Sequence, residues 1–254
     1  MAFSVEEIID RHVERLHEDR EPDGYWHPSS LSNCLRQAVY ELRGTEITNP
    51  RDARSRRILR VGHMFHQFVQ DAIASDPAVV EFYPEIKLHS ERLRVIGSSD
   101  GLQSLARIVE DGYEVWEVVE FKTINSLSFR YKDLPKPAHK IQAATYMKLL
   151  REDGGTVLGE SPKVIPPLGD KLTRARLVYL SKDDLKLEEH VVLWTPAKDE
   201  EILSRIAVLE EHRVAGTLPR RLPMVSDKKT GQEKRDYLCG YCQYEDRCWK
   251  GDPD

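Results

Sequence analysis

Apolar residues alternate along Glu114 to Thr123, which reads E-V-W-E-V-V-E-F-K-T. Val115, Val119 and Phe121 fall on one phase; Trp116, Val118, Glu120 and Lys122 fall on the other. This period of two predicts a β-strand over Tyr113 to Lys122, with Glu120 and Lys122 one pleat apart on the same face. The same alternation predicts strands near Glu85 to Leu88, Leu93 to Ser99, Ala175 to Ser181 and Leu187 to Trp194. Helical spacing predicts an amphipathic helix over Phe3 to Leu16, with Ile8, Ile9 and Val13 in its apolar set, broken by Pro22-Asp23-Gly24. A second helix is capped within Ser30-Leu31-Ser32-Asn33, runs through Cys34, Val39 and Leu42, and ends at Gly44. Others are expected over Arg54 to Ala74, Ala138 to Arg151 and Lys198 to Val214, the last with Ile202, Ile206 and Leu209 as its stripe. Pro77 and Pro84 bracket the turn into the sheet, and Asp111-Gly112 joins two strands as a hairpin. Asn125 to Pro137 reads as a loop, and the Gly/Pro-rich stretch Asp153 to Lys171 as a mobile connection. The order is helices, a strand meander, a helix, more strands and a cysteine-rich tail, which makes a mixed α/β core.

Two charges on a strand of this apolarity need a partner or a task. Asp100, in G-S-S-D-G at the end of the preceding predicted strand, brings a second carboxylate to the same place. Asp100, Glu120 and Lys122 form D…E-x-K, an arrangement that holds a hard divalent cation and positions a water beside a phosphate. A solvated strand end or a plain ion pair fits the bare spacing equally well.

The 254 residues carry 38 Lys and Arg against 43 Asp and Glu, a formal net charge of -5. That balance excludes a globally basic nucleic-acid binder. Locally, Arg51 to Arg60 holds five arginines against one aspartate, and Arg213 to Arg235 is also basic. Either run suits phosphates or a solvated face. No apolar run spans a bilayer and no signal-peptide pattern opens the chain, so a cytoplasmic protein without a membrane partner is expected.

Cys34 lies near one end, while Cys239, Cys242 and Cys248 form C-x-x-C-x-x-x-x-x-C at the other. In a cytoplasmic chain four such thiols read as one metal or cluster site, and the spacing alone leaves Zn²⁺ and iron–sulfur both open. A fourth ligand some two hundred residues from the other three is foreign to a small zinc knuckle. Tyr241, Tyr244 and Trp249 also supply an apolar shell of the kind that shields a cluster. Such a site staples the two ends of the chain together.

Gly62 and His66 give G-x-x-x-H, with His63 a second candidate, and Gln142 and Tyr146 give Q-x-x-x-Y on one helix face. His66, Asp100, Glu120-x-Lys122 and Gln142-x-x-x-Tyr146, with one cysteine before and three after, resemble the RecB-like branch of the PD-(D/E)XK nucleases. More specifically, the set resembles the CRISPR-associated iron–sulfur exonuclease family and its relatives in phages, in AddB and in mitochondrial exonucleases. The resemblance runs from Ser32 to Trp249. Cys34-Leu35-Arg36-Gln37-Ala38-Val39-Tyr40 is similar to the C-P-R-x-x-Y-like entry of that family, with Leu35 where Pro is usual, a departure that touches helix geometry more than ligation.

The resemblance implies one nuclease domain over 1–254, a restriction-endonuclease-like core whose mixed central sheet is flanked by helices. Residues 1–76 form a helical part, 77–215 the core, and 216–254 a tail whose four-cysteine cap joins the termini. It implies that His66, Asp100, Glu120 and the backbone carbonyl of Phe121 hold Mn²⁺ or Mg²⁺, with histidine favouring Mn²⁺. Lys122 orients the attacking water or stabilises developing charge, and Gln142 and Tyr146 lie along the substrate path. Glu85 is a weaker acidic candidate that reads as a solvated charge. Cys34, Cys239, Cys242 and Cys248 hold a [4Fe–4S] cluster, as some relatives hold [2Fe–2S], with Zn²⁺ as the alternative. The implied activity is hydrolysis of single-stranded DNA from an end, 5′ to 3′, in CRISPR spacer acquisition beside integrase proteins. Phage or recombination nucleases, with recombination proteins as partners, and a non-catalytic DNA-binding scaffold are the rival readings. Phe129, Arg130, Tyr131 and Lys132 suit stacking on unpaired bases, or packing of their loop.

Overall fold

Strand alternation produces β1 (Glu81–Ser90), β2 (Val95–Glu110), β3 (Tyr113–Ile124), β4 (Gly155–Val157), β5 (Lys163–Ile165), β6 (Leu172–Ser181) and β7 (Leu187–Leu193). They form one sheet in the order β5-β4-β1-β2-β3-β6-β7. Neighbours are antiparallel except β3 and β6, which run parallel. A parallel pair needs a crossover, and here it contains two helices, α5 (Ser126–Tyr131) and α6 (Pro137–Glu152). Before the sheet come α1 (Val5–Leu16), α2 (Pro28–Leu31), α3 (Leu35–Leu42) and α4 (Ala53–Ser75); after it comes α7 (Pro196–Ala215). The small hairpin β8 (Val225–Ser226) and β9 (Glu233–Lys234) precedes the cysteine tail. The computed structural model describes residues 4–16, 21–77, 79, 81–110, 113–131, 133–227 and 230–253. Phe3, the Asp111-Gly112 turn and Lys132 lie outside the described residues.

The two phases of β3 bury against different layers. Trp116 and Val118 join the main core with Ala143, Ala144, Met147 and Leu150 of α6 and with Ile202, Ile206 and Leu209 of α7. Val119 and Phe121 face the other way, with Val178, and meet Val69 and Ile73 of α4. The core of the sheet is therefore covered on both faces, and the Glu120 phase lies on the α6 side.

Several expected elements differ from the observed ones. Residues 125–137 are not all loop: Asn125 accepts the Ser128 amide on its side chain and starts α5. The stretch 153–171 holds β4, β5 and a 3-10 turn at Gly169–Lys171, because its apolar Val157 and Ile165 extend the sheet edge. Pro84 lies inside β1 rather than at a turn, and Asp100 lies within β2, which continues to Glu110. Cys34 is the residue before α3 and gives it no side-chain cap; Ser32 and Asn33 instead donate back to the Ser29 carbonyl.

Charge runs are consumed by neighbours. Arg57 pairs with Glu6 and Asp10 of α1, and Arg56 with Glu14. Arg213 pairs with Glu210, and Arg235 with Glu245. The chain ends meet through buried guanidinium: Arg36 of α3 donates to the carbonyls of Pro219 (2.9 Å) and Pro253 (2.5 Å). Arg221 donates to the carbonyls of Cys248 and Asp252, and the Trp249 ring lies between Arg221 and Arg235.

Gly154 closes α6 at φ +78°, its amide on the Leu149 carbonyl, and a Cβ there would lie 2.3 Å from the Ile165 carbonyl oxygen. Gly154→Ala is expected to lower stability by at least ~1–2 kcal/mol from the left-handed backbone alone, with the clash adding to it. Gly159→Ala, with open space around it, is expected to stay within about 0.5 kcal/mol of the parent protein. Equilibrium urea unfolding of the pair checks both.

Candidate active site

The site forms where β2 and β3 part. Their ladder carries Leu102 opposite Val118 and Gly101 opposite Val119. One residue further, the Asp100 carboxylate Oδ2 accepts the Phe121 amide at 2.7 Å, standing in for a backbone acceptor. The Asp100 carbonyl accepts the Gln70 side-chain amide of α4 at 2.8 Å. Asp100 Oδ1 lies 3.4 Å from His66 Nδ1, also on α4, one helical turn before Gln70. The His66 ring packs edge-on to Phe121. Three elements thus meet at one carboxylate.

On the α6 side, Lys122 Nζ donates to Glu120 Oε1 at 2.6 Å and to Gln142 Oε1 at 2.8 Å. Gln142 Nε2 in turn donates to the Tyr146 hydroxyl at 2.9 Å. Glu120, Gln142 and Tyr146 are all buried. The second oxygen of Glu120, Oε2, is buried and has no hydrogen-bond partner among the described residues. Burial raises the Glu120 carboxyl to about 7, with Asp100 adding to the rise and Lys122 opposing it. Burial lowers His66, but the hydrogen bond and charge of Asp100 outweigh it and the net shift is upward. His63 is lowered by burial and by the neighbouring charges of His66 and Arg60.

The structure brings Asp100, Glu120, Lys122, His66, Gln142 and Tyr146 to one place. Gln142 and Tyr146 meet Lys122 from inside the core. Phe129 packs against the main core, while Tyr131 is 72% exposed with the Arg130 guanidinium over its ring. Glu85 is exposed, as expected of a solvated charge, and its carboxylate also accepts Gln70 Nε2 at 3.1 Å and Ser98 Oγ at 3.1 Å, on a backbone at φ +51°. Gln70 escaped the sequence reading because a buried amide on a helix leaves no periodic trace. His139 escaped it too. Its i−3 spacing from Gln142 was the available signal.

His139 Nδ1 lies 2.7 Å from the Tyr179 hydroxyl, which accepts the Lys136 amide at 3.1 Å, and the two rings stack. Burial, with Lys122 and Lys136 nearby, pushes His139 down to about 3.

The donor types suit a divalent cation, with the Glu120 and Asp100 carboxylates and the His66 imidazole beside Asp100, but as placed they do not form a ligand cage. Among the described residues, no three of His, Cys, Asp and Glu are arranged to hold a metal ion. The four cysteines are free thiols that line one small cavity with Leu222, Leu238 and Trp249. Burial raises Cys34 and Cys239, and it raises Cys242 to about 12. The expected iron–sulfur cap is not shown: the four thiols border a cavity and, among the described residues, form no ligand cage. No helix among the described residues is long and apolar enough to cross a membrane.

A family model described as the PD-(D/E)XK nuclease superfamily matches residues 6–249. Among solved structures, the crystal structure of SSO0001 is similar with a TM-score of 0.56 at 16% identity, covering 97% of each chain. An alkaline exonuclease from Laribacter hongkongensis is similar with a TM-score of 0.48 at 14% identity, covering 77% of this chain and 90% of that one. No sequence among the curated proteins matches.

The His139 environment sets an acid limit on stability. An unfolded histidine takes a proton below about pH 6.5, whereas the folded one stays neutral to about 3. Unfolding therefore takes up a proton in that window, and stability falls as pH drops through it. His139→Gln is expected to flatten the fall of melting temperature between about pH 6.5 and pH 4, measured by a thermal unfolding series.

Proposed function

The chain belongs to the PD-(D/E)XK nuclease superfamily, and from that premise we propose that it is a divalent-metal-dependent exonuclease of single-stranded DNA. The observation that carries the reading is the unpartnered, buried Oε2 of Glu120 beside Asp100 and Lys122. A buried carboxylate oxygen with no donor is costly unless a ligand completes it. Glu120, Asp100, His66 and the Phe121 carbonyl would hold Mn²⁺ or Mg²⁺. Such a cation polarises a phosphate oxygen and lowers the pKa of a bound water.

Lys122 orients the attacking water and neutralises charge that grows on the phosphate. Gln142, held by Tyr146, fixes the ammonium between itself and Glu120. In the reaction a P–O bond forms to water oxygen and the bond to the departing nucleotide oxygen breaks. Exposed Tyr131 with Arg130 supports a stacking platform for unpaired bases. The family resemblance supports 5′ to 3′ polarity and a setting in CRISPR spacer acquisition, which co-purification with integrase proteins tests.

Asp100→Asn, Glu120→Gln and Lys122→Ala are each expected to reduce cleavage of a labelled single-stranded oligonucleotide by at least about 100-fold, with folding retained by circular dichroism. EDTA is expected to abolish cleavage and Mn²⁺ to restore it. Full activity of Asp100→Asn in Mn²⁺ defeats the assignment.

The four thiols are proposed to hold an iron–sulfur cluster, on the strength of one shared apolar cavity and the resemblance. Protein purified without oxygen is expected to be brown, with broad visible absorption that Cys34→Ser or Cys248→Ser removes. A colourless protein with one stoichiometric zinc overturns the cluster and leaves the hydrolytic reading intact.

A further inference from the structure

Helix α6 presents its residues to the site in order of depth. Tyr146 and Gln142 are buried, while His139, one turn nearer the helix start, is only half-buried. Tyr179, which fixes the His139 ring, is the register partner of Lys122 on the adjacent parallel strand. The imidazole therefore stands over the same patch of sheet as the Lys122 ammonium.

The Tyr179 hydroxyl accepts from the Lys136 amide and keeps one proton to give, and His139 Nδ1 lies 2.7 Å away. Burial raises Tyr179 to about 12, which keeps that proton in place. With the proton given to Nδ1, Nε2 carries the hydrogen, and this tautomer is part of what is proposed. Among the described residues nothing pairs with Nε2. The charged and titratable groups around the ring are Tyr179, Lys122 and Lys136. Burial first, and then the charges of Lys122 and Lys136, hold the ring neutral well below pH 6.5, so in the proposed tautomer it is a donor and not a proton carrier. A neutral imidazole locked in this way is a known means of stabilising charge on a substrate oxygen.

We propose that His139 is a substrate-contacting residue whose Nε2–H donates to a non-bridging oxygen of the phosphate held beside Lys122. This rests on the nuclease reading above. It adds to that reading a second, uncharged donor, with Tyr179 as its positioning residue.

His139→Leu is expected to lower kcat on single-stranded DNA about 50–100-fold, with KM changed less than about threefold. His139→Gln, whose side-chain amide reaches the Nε2 position, is expected to recover most of the loss. Tyr179→Phe is expected to cost severalfold. The independent readout is NMR of ¹⁵N-histidine protein: an Nε2–H tautomer for His139, shifted when a short single-stranded oligonucleotide is added to Asp100→Asn. Wild-type kcat in His139→Leu, a His139→Gln protein as slow as His139→Leu, or an unmoved Nε2 signal each overturns the proposal. If His139→Leu does not fold, the glutamine variant and the NMR signal decide. A wild-type protein that cuts no DNA defeats the nuclease reading instead, and the NMR titration still decides whether His139 meets the phosphate.

Discussion

Burying the Glu120 carboxylate is the constraint around which the rest is arranged. A carboxylate taken out of water costs several kcal/mol unless paired and hydrogen-bonded, and only 2% of this residue is exposed. Lys122 answers one oxygen at 2.6 Å. That ammonium is itself largely buried, so it needs Gln142, and Gln142 needs Tyr146. The relay crosses from β3 into α6 and explains why polar residues line the inner face of a helix that otherwise packs Ala143, Ala144 and Met147 into the core. Removing any one member costs its neighbour a hydrogen bond. Among the described residues the other oxygen has no partner, and it is the atom on which the proposed chemistry rests.

A second demand comes from the parting strands. Where β2 and β3 separate, two backbone groups lose their ladder partners, and both are satisfied by side chains of functional type. The Phe121 amide goes to the Asp100 carboxylate, and the Asp100 carbonyl to Gln70. Because Gln70 and His66 lie on one side of α4, the helix that closes the gap also delivers the imidazole. Val69 and Ile73 of the same helix pack on Val119 and Phe121. Apolar packing on one face of β3 and the polar relay on the other thus hold the site from both sides of the sheet.

Much of this was legible in the chain. The alternation over 113–122 placed the two charges of E-x-K on one face, and the mixed sheet followed from the element order. Q-x-x-x-Y appeared as a pair because helical spacing is periodic. What stayed hidden lacked a period. Gln70 and Glu85 act through two tertiary hydrogen bonds each, and the tautomer of His139 depends on a tyrosine forty residues away. The basic run 51–60 read as either a phosphate track or a solvated face, and α1 places Glu6, Asp10 and Glu14 against its Arg56 and Arg57. A short helix at 126–131 was missed because six residues carry too little spacing to register.

The thiol cavity and the hydrolytic site share no residue, yet one fold couples them mechanically. Arg36 of α3 grips the carbonyls of Pro219 and Pro253, and Arg205 of α7 grips those of Leu31 and Asn33 beside Cys34. Helix α7 packs on α6, whose buried Lys148 pairs with Asp199 at 2.5 Å. The joined segments therefore meet α6 through α7 and through α2. Guanidinium–carbonyl bonds of this kind do not depend on the state of the thiols, so these contacts hold the two segments together by themselves. The positions of Asp100 and Glu120 are fixed separately, by β2, β3 and α4 among themselves.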